Sequence, residues 1–420
     1  MNEQAIIPVL LEEFHQRLKL LKGLVPRKAA FPDIENKIKV AIGMRRTGKT
    51  YFIFQKILQL MREGVSLTTI IYINLEDDRL LPLTRDKLAG LLDGFYSIYP
   101  ENHEKKCYLF LDEIQNVDDW AIVIRRFFDS KNVEIYLTGS SAKLLSKEIA
   151  TSLRGRSLAT EIWPYSFAEY LQASHTVIDK KTYGAITRDK LMQAFRQYLE
   201  VGGFPEVVSY EKSTREQALQ DYVTIVTYRD IIERHNIVNP GVIKYMIVTM
   251  IANVAKPFSI NKFYNDLKSQ GYKINKDCLY EYAQHIEDAF LTFSVPLYSV
   301  SIRKVQANPK KIYAIDTGLI RAMSLLHVDD LGRLFENLIY LDLRRQGFII
   351  HYYLTQARYE VDFLVQTPQG KKELIQVTLD MSDSDTKMRE ERALTAAMNE
   401  LNIPGRIITL DSYLRDGIAS

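Results

Sequence analysis

The sequence predicts a multidomain chain that opens with an α/β fold built on a parallel sheet, and three observations carry that reading. A glycine-rich turn in VAIGMRRTGKTYFIF, beginning at Val40, stands between a short apolar run and a segment apolar at helical spacing. Two further apolar runs, in KKCYLFLDEIQ and VEIYLTGSSAKLL, have the length of buried strands and end in polar residues. The last ninety residues then alternate helix and strand patterns that need a sheet of their own. At 420 residues and 48.6 kDa the chain exceeds one compact core.

Lys37 to Ile42 (KIKVAI) reads as the strand before the turn, and Tyr51 to Glu63 as the helix after it. Gly43, Gly48, Lys49 and Thr50 fit G-x-x-x-x-G-K-[ST]. In that pattern backbone N–H groups cradle phosphates, the lysine reaches the outer phosphates, and the hydroxyl meets magnesium. A helix N-terminus there adds its partial positive charge to the site. Arg46 and Thr47 complete the expected nucleotide-contacting loop, with Arg45 and Arg46 given no role beyond phosphate or lid contact. Strand, loop and helix together predict a P-loop NTPase core taking ATP and Mg²⁺.

Tyr108 to Leu111 reads as a core parallel strand, which puts Asp112 and Glu113 at its C-terminal end, where open α/β sheets place ligand groups. Asp112 is the expected metal-orienting acid and Glu113 the base that polarises the attacking water. Val133 onward is a third buried strand ending in Thr138, Gly139, Ser140 and Ser141. Thr138 is the candidate for holding the water, while Ser140 or Ser141 suits the cap of a following helix. Arg154 and Arg156 come next; either can act as a finger at a neighbouring subunit's site, or both can be surface or lid charges. The phosphate loop, the LFLDE strand, the LTGSS strand end and the trailing arginines resemble an AAA+-type ATPase of the additional-strand, catalytic-glutamate class, over roughly Val40 to Pro164.

SFAEYLQASH, LMQAFRQYLEVGGFPEVV and EQALQDYVTIVTYRDIIERHNI read as amphipathic helices that make a helical lid. Arg229 in the last of them suits a nucleotide sensor or a structural ion pair. The GGFPEV segment is similar to one in ATP-binding proteins that join this ATPase type to a C-terminal restriction-endonuclease-like domain, and extends the resemblance over nearly the whole chain. Pro240 to Leu325 looks like a winged helix-turn-helix, with Ser259 and Asn275 as helix caps and a β-hairpin wing carrying Arg303, Lys304, Lys310 and Lys311 around its turn. Between Ala255 and Leu325 stand ten Lys or Arg against six Asp or Glu, a modest basicity that suits duplex DNA. Asp277, Glu281, Glu287 and Asp288 oppose phosphate approach, so a unit that only packs domains or subunits together is the other reading.

Residues 332–410 follow the order helix, three strands, helix, strand, which matches the core of PD-(D/E)XK nucleases. That resemblance implies a metal held by acids on the second and third strands, with a lysine beside them. Asp362 matches the first acid and Glu336 the extra helical carboxylate, but Gln376 stands where the second acid is expected and Thr378 where the lysine is expected. A glutamine still offers a carbonyl oxygen to a hard cation, whereas a threonine supplies no charge. Glu373 lies an odd number of residues before Gln376 and therefore points to the opposite face. A degenerate, non-cutting domain is the expectation.

The expected division is 1–165 ATPase core, 166–238 helical lid, 239–328 winged helix and 329–420 nuclease-like domain. A formal charge of +3 gives no global polyanion surface, and the two cysteines, Cys107 and Cys278, exclude a disulfide framework. MNEQAIIPVLLEEFHQRL is broken by charge and lacks a basic lead, and no apolar run approaches a membrane helix in length; a cytoplasmic setting is expected. The function expected is ATP hydrolysis coupled to duplex or branched DNA, in a homo-oligomer if an arginine acts in trans. The alternatives are an ATP-regulated nuclease and a nucleotide-dependent switch that binds only proteins.

Overall fold

The structure is a computed structural model, and it describes residues 3–21, 23–139, 153–178, 184–323 and 331–417. Two compact units divide the chain, Met1–Trp163 and Pro164–Ser420.

In the first unit, apolar runs make a five-stranded, wholly parallel sheet. Its strands are β1 (Ile38–Ile42), β2 (Ile70–Asn74), β3 (Cys107–Asp112), β4 (Val133–Gly139) and β5 (Ser157–Glu161), in the order β2-β3-β4-β1-β5. Every residue of β1 is buried, as a strand covered on both faces requires. Helices Lys49–Arg62, Arg85–Ile98 and Trp120–Ser130 connect the strands. The helix Glu3–Leu20, which the sequence reading considered only as a leader, puts Phe14 and Leu18 into the apolar cluster of Phe54, Ile57, Tyr72 and Phe110. β2 lies in TTIIYINLEDD (Thr68 to Asp78), a segment that follows the loop helix and carries no strand assignment from sequence, and β5 has no sequence-based expectation. β2 is apolar enough for strand or helix, and β5 (SLATE) is short and polar because it forms the sheet's edge.

The second unit starts with helices Phe167–Ala173, Ala185–Val201 and Lys212–Ile225, the last running on into a wider turn over Val226–Glu233. The GGFP segment has a packing reason. Gly203 N donates to Asp316 Oδ2 at 2.6 Å, and Leu319 N to Asp316 Oδ1 at 3.0 Å. A Cβ on Gly202 would come within 2.1 Å of Asp316 Oδ1, and one on Gly203 within 2.3 Å of Tyr165 O. Burial pushes the Asp316 carboxyl up to about 6, although the Gly203 and Leu319 amides favour its charge.

Helices Pro240–Ala252, Ile260–Ser269 and Lys276–Asp288 accompany a small antiparallel sheet of β6 (Pro257–Phe258), which lies between the first two helices, β7 (Thr292–Val295) and β8 (Lys310–Ala314), in the order β6-β8-β7. Ser259 caps its helix by accepting from Lys262 N, and Asn275 occupies the cap position without a side-chain bond. The hairpin differs from expectation at its turn, where a short helix, Ile302–Ala307, joins β7 to β8. Arg303, Lys304 and Lys310 are exposed there, but Lys311 is not a turn residue: it is fully buried.

Thr317–Met323 and Leu331–Arg345 are helical, and a four-stranded sheet follows. Its strands β9 (Ile349–Leu354), β10 (Glu360–Gln366), β11 (Lys372–Thr378) and β12 (Gly405–Thr409) take the order β12-β11-β10-β9. β10 runs antiparallel to both neighbours, and β12 parallel to β11 after the helix Ser384–Leu401. A last helix, Leu410–Asp416, closes the fold.

Candidate nucleotide site

The phosphate-loop residues, the acid pair and Thr138 converge at the C-terminal edge of the parallel sheet. β1 ends at Ile42, whose carbonyl accepts from Ile162 N at 2.7 Å. Gly43 follows with φ 152°, and a Cβ there would meet Ile162 O at 2.3 Å, so the close approach of two backbones requires glycine. Arg46 (φ 68°) and Gly48 (φ 93°) turn the loop through left-handed conformations, and the helix starts at Lys49. Thr47 is buried, its hydroxyl donating to Met44 O at 2.9 Å.

Lys49 Nζ is folded over the loop, donating to Gly43 O at 3.2 Å and Met44 O at 3.1 Å, and lies 3.7 Å from Glu113 Oε1. Thr50 Oγ1 donates to Asp112 Oδ2 at 2.7 Å. Thr138 Oγ1 donates to Asp112 Oδ1 and accepts the Glu113 amide. A hydroxyl and a carboxylate side by side form a hard-oxygen pair that suits Mg²⁺.

Three contributors escaped the sequence reading. Tyr72 OH donates to Asp112 Oδ2 at 2.9 Å, and burial followed by the Asp112 charge raises its phenol well above the usual range. Gln115 Nε2 donates to Glu113 Oε2, holding the carboxylate, while Glu113 itself takes a left-handed backbone (φ 57°). Arg27 clasps the loop from outside, Nη1 donating to Thr47 O at 2.8 Å and Nη2 to Trp163 O at 2.5 Å. Only Gln115, two residues beyond the acid pair, had a local signal.

The arginines are placed less centrally. Arg156 pairs with Asp129 at 2.9 Å, and its carbonyl accepts from Ile38 N at the N-terminal edge of the sheet, opposite the loop. That position removes Arg156 from the site of its own chain. Arg154 is exposed in a turn with φ 49°. Arg45 pairs with Glu76 at 3.1 Å. Arg229 is exposed and paired with Glu233 at 3.5 Å, one turn away. Ser140 and Ser141 lie outside the described residues.

In the second unit the degenerate set is brought together with a correction. Thr378 stands where the sequence pattern expects a lysine, yet Lys311 Nζ, arriving from β8, lies 3.2 Å from Asp362 Oδ1, 2.7 Å from Glu336 Oε1 and 2.9 Å from Glu360 Oε1. Gln376 Oε1 accepts the Asp362 amide at 3.2 Å and its Nε2 donates to Glu390, so the amide serves as a bridge between β10 and the neighbouring helix. Thr378 Oγ1 donates to Asp380 O at 3.1 Å. Burial raises the Glu336 carboxyl, with the Asp362 charge adding to it.

One family comparison agrees with the first unit's fold. Residues 35–171 match the model of an AAA domain, and residues 192–330 that of a domain of unknown function (DUF8612). The Walker-type ATPase PABY2304 of Pyrococcus abyssi is similar at 14% identity and TM-score 0.45, over 73% of this chain and 99% of that one. An uncharacterized Haemophilus influenzae protein is 28% identical over 78% of this chain and 79% of its own length. The uncharacterized protein MJ1544 of Methanocaldococcus jannaschii is 39% identical over 91% of this chain and 84% of its own. With that identity over that span, and an AAA domain at residues 35–171, the chain belongs to the family of MJ1544.

Proposed function

We propose that this chain binds and hydrolyses ATP in the first unit and that duplex or branched DNA is what the second unit engages. The observation that carries the reading is the hydrogen-bonded convergence of Lys49, Thr50, Asp112, Glu113 and Thr138 on one sheet edge. Lys49, held by loop carbonyls, is placed to exchange them for β- and γ-phosphate oxygens. Thr50 and Asp112 would hold Mg²⁺, which when bound neutralises charge on the phosphates. Glu113, steadied by Gln115, takes the proton of the attacking water, and Thr138 orders both acids.

The DNA reading is supported by the helices Ile260–Ser269 and Lys276–Asp288 before the β7–β8 hairpin, with exposed Arg303, Lys304 and Lys310 at its end. This is the arrangement expected of a winged helix, with residues 166–238 as the lid and 329–420 as a nuclease-like scaffold. Exposed Arg154 is the better candidate for completing a neighbouring subunit's site in an oligomer, since Arg156 is held by Asp129. Among the described residues no helix is long and apolar enough to cross a membrane.

Mg·ATP turnover by wild type and Glu113→Gln, alone and with single-stranded, duplex or four-way-junction DNA at fixed salt, tests this. The expected result is retained ATP binding with turnover lowered about 10²-fold or more in the variant, and stimulation of the wild type by one DNA form. Wild-type turnover in Glu113→Gln would overturn the role of that residue. Turnover indifferent to every DNA would favour the protein-binding switch.

A further inference from the structure

The PD-(D/E)XK resemblance implies a divalent metal between Glu336 and Asp362, and the residues present do not fit one. The position between those two carboxylates is held by a side chain, on the wall of a cavity of about 570 Å³ that Glu336, Asp362 and Gln376 line. Lys311 Nζ is fully buried and within 3.2 Å of carboxylate oxygens of Glu336, Glu360 and Asp362. An ammonium has three N–H donors, and three carboxylates surround this one. Further donors crowd the same two carboxylates, one of them on the Glu336 oxygen that already meets Lys311. Tyr313 OH donates to Glu336 Oε1 at 2.7 Å, and Asp362 Oδ2 accepts Val377 N at 3.0 Å. A divalent cation would have to approach those oxygens to about 2.0–2.6 Å, against a positive charge already lodged there. Expelling the ammonium would leave a buried charge unpaired, and losses of that kind are strongly destabilising.

We propose that Lys311 is the resident cation of this carboxylate cluster, excluding divalent metal from it and fastening β8 to β10. The cluster thus serves as a tie between the three-stranded and four-stranded sheets. Lys311 belongs to the strand that would form the wing, so the tie holds that hairpin against the C-terminal sheet. The assignment stands apart from the nucleotide reading, since none of its residues lies in the first unit.

Mn²⁺ titration of nucleotide-free protein, read by electron paramagnetic resonance, tests it with four proteins: wild type, Asp362→Asn, Lys311→Met, and the double variant. Wild type and Asp362→Asn are expected to take up the same amount of Mn²⁺, which leaves any weak uptake at Thr50 and Asp112 out of the comparison. Lys311→Met is expected to gain one Mn²⁺ site that the double variant lacks. A Mn²⁺ site in wild type that Asp362→Asn removes would overturn the proposal, as would a folded Lys311→Met that gains none. If Lys311→Met does not fold, Lys311→Gln replaces it. If neither folds, wild type against Asp362→Asn decides alone: equal uptake supports the resident lysine and a lost site overturns it.

Discussion

The amide of Glu113 donates to Thr138 Oγ1 at 2.9 Å, and the same hydroxyl donates to Asp112, so one side chain on β4 orders both acids at the end of β3. Thr138 is fully buried, and no water can replace it cheaply. Thr138→Ala should lower ATP turnover at least tenfold and cost about 1–3 kcal/mol of stability from the orphaned groups. Thr138→Ser, which keeps the hydroxyl, should recover most of both. Steady-state kinetics beside urea unfolding checks the pair; equal behaviour of the two variants would show that the hydroxyl is not what matters.

Arg27 spans the loop and the end of the unit by donating to Thr47 O and Trp163 O. Its planar fork presents Nη1 and Nη2 to the two carbonyls at a fixed spacing, which the single nitrogen of a lysine does not reproduce. Arg27→Lys should therefore weaken ATP binding several-fold while leaving kcat within about twofold, because its two guanidinium bonds go to the carbonyls that shape the loop and the unit's end. Titration with a fluorescent ATP analogue and single-turnover assays separate the two effects. A change confined to kcat would contradict this role.

Asp316 links protonation to the stability of the second unit. Its carboxyl sits at about 6 in the folded chain against an ordinary 3.8, because burial disfavours its charge. The folded state therefore binds the proton more tightly than the unfolded one. The stability it contributes is fully present below about pH 4, declines as pH rises through 6, and is constant above that, a span worth roughly 3 kcal/mol. Asp316→Asn, which cannot ionise, should flatten this decline. Urea unfolding of both proteins between pH 4 and 7.5 measures it, and parallel profiles would refute the assignment.

The sequence by itself determined the parts whose chemistry is local. Gly43, Gly48, Lys49 and Thr50 belong to one short loop whose backbone demands are short-range, and Asp112 and Glu113 follow directly from an apolar run of strand length bounded by polar residues. Strand and helix periodicity likewise made β1, β3, β4 and the whole order from Leu331 to Thr409 legible. What tertiary structure alone decided are contacts between distant segments. Tyr72 reaches Asp112 from a neighbouring strand 40 residues earlier, and Arg27 reaches Trp163 across 136 residues. Lys311 is the clearest case. Alternation along β8 gives its side chain a face, but not what covers that face, and the residues that do cover it, Glu336, Glu360 and Asp362, come from a helix and a strand later in the chain. Periodicity reports which side of an element is turned inward; only the packed fold decides which charges meet there, and so whether a lysine ends as a surface cation or as the centre of a buried ion cluster.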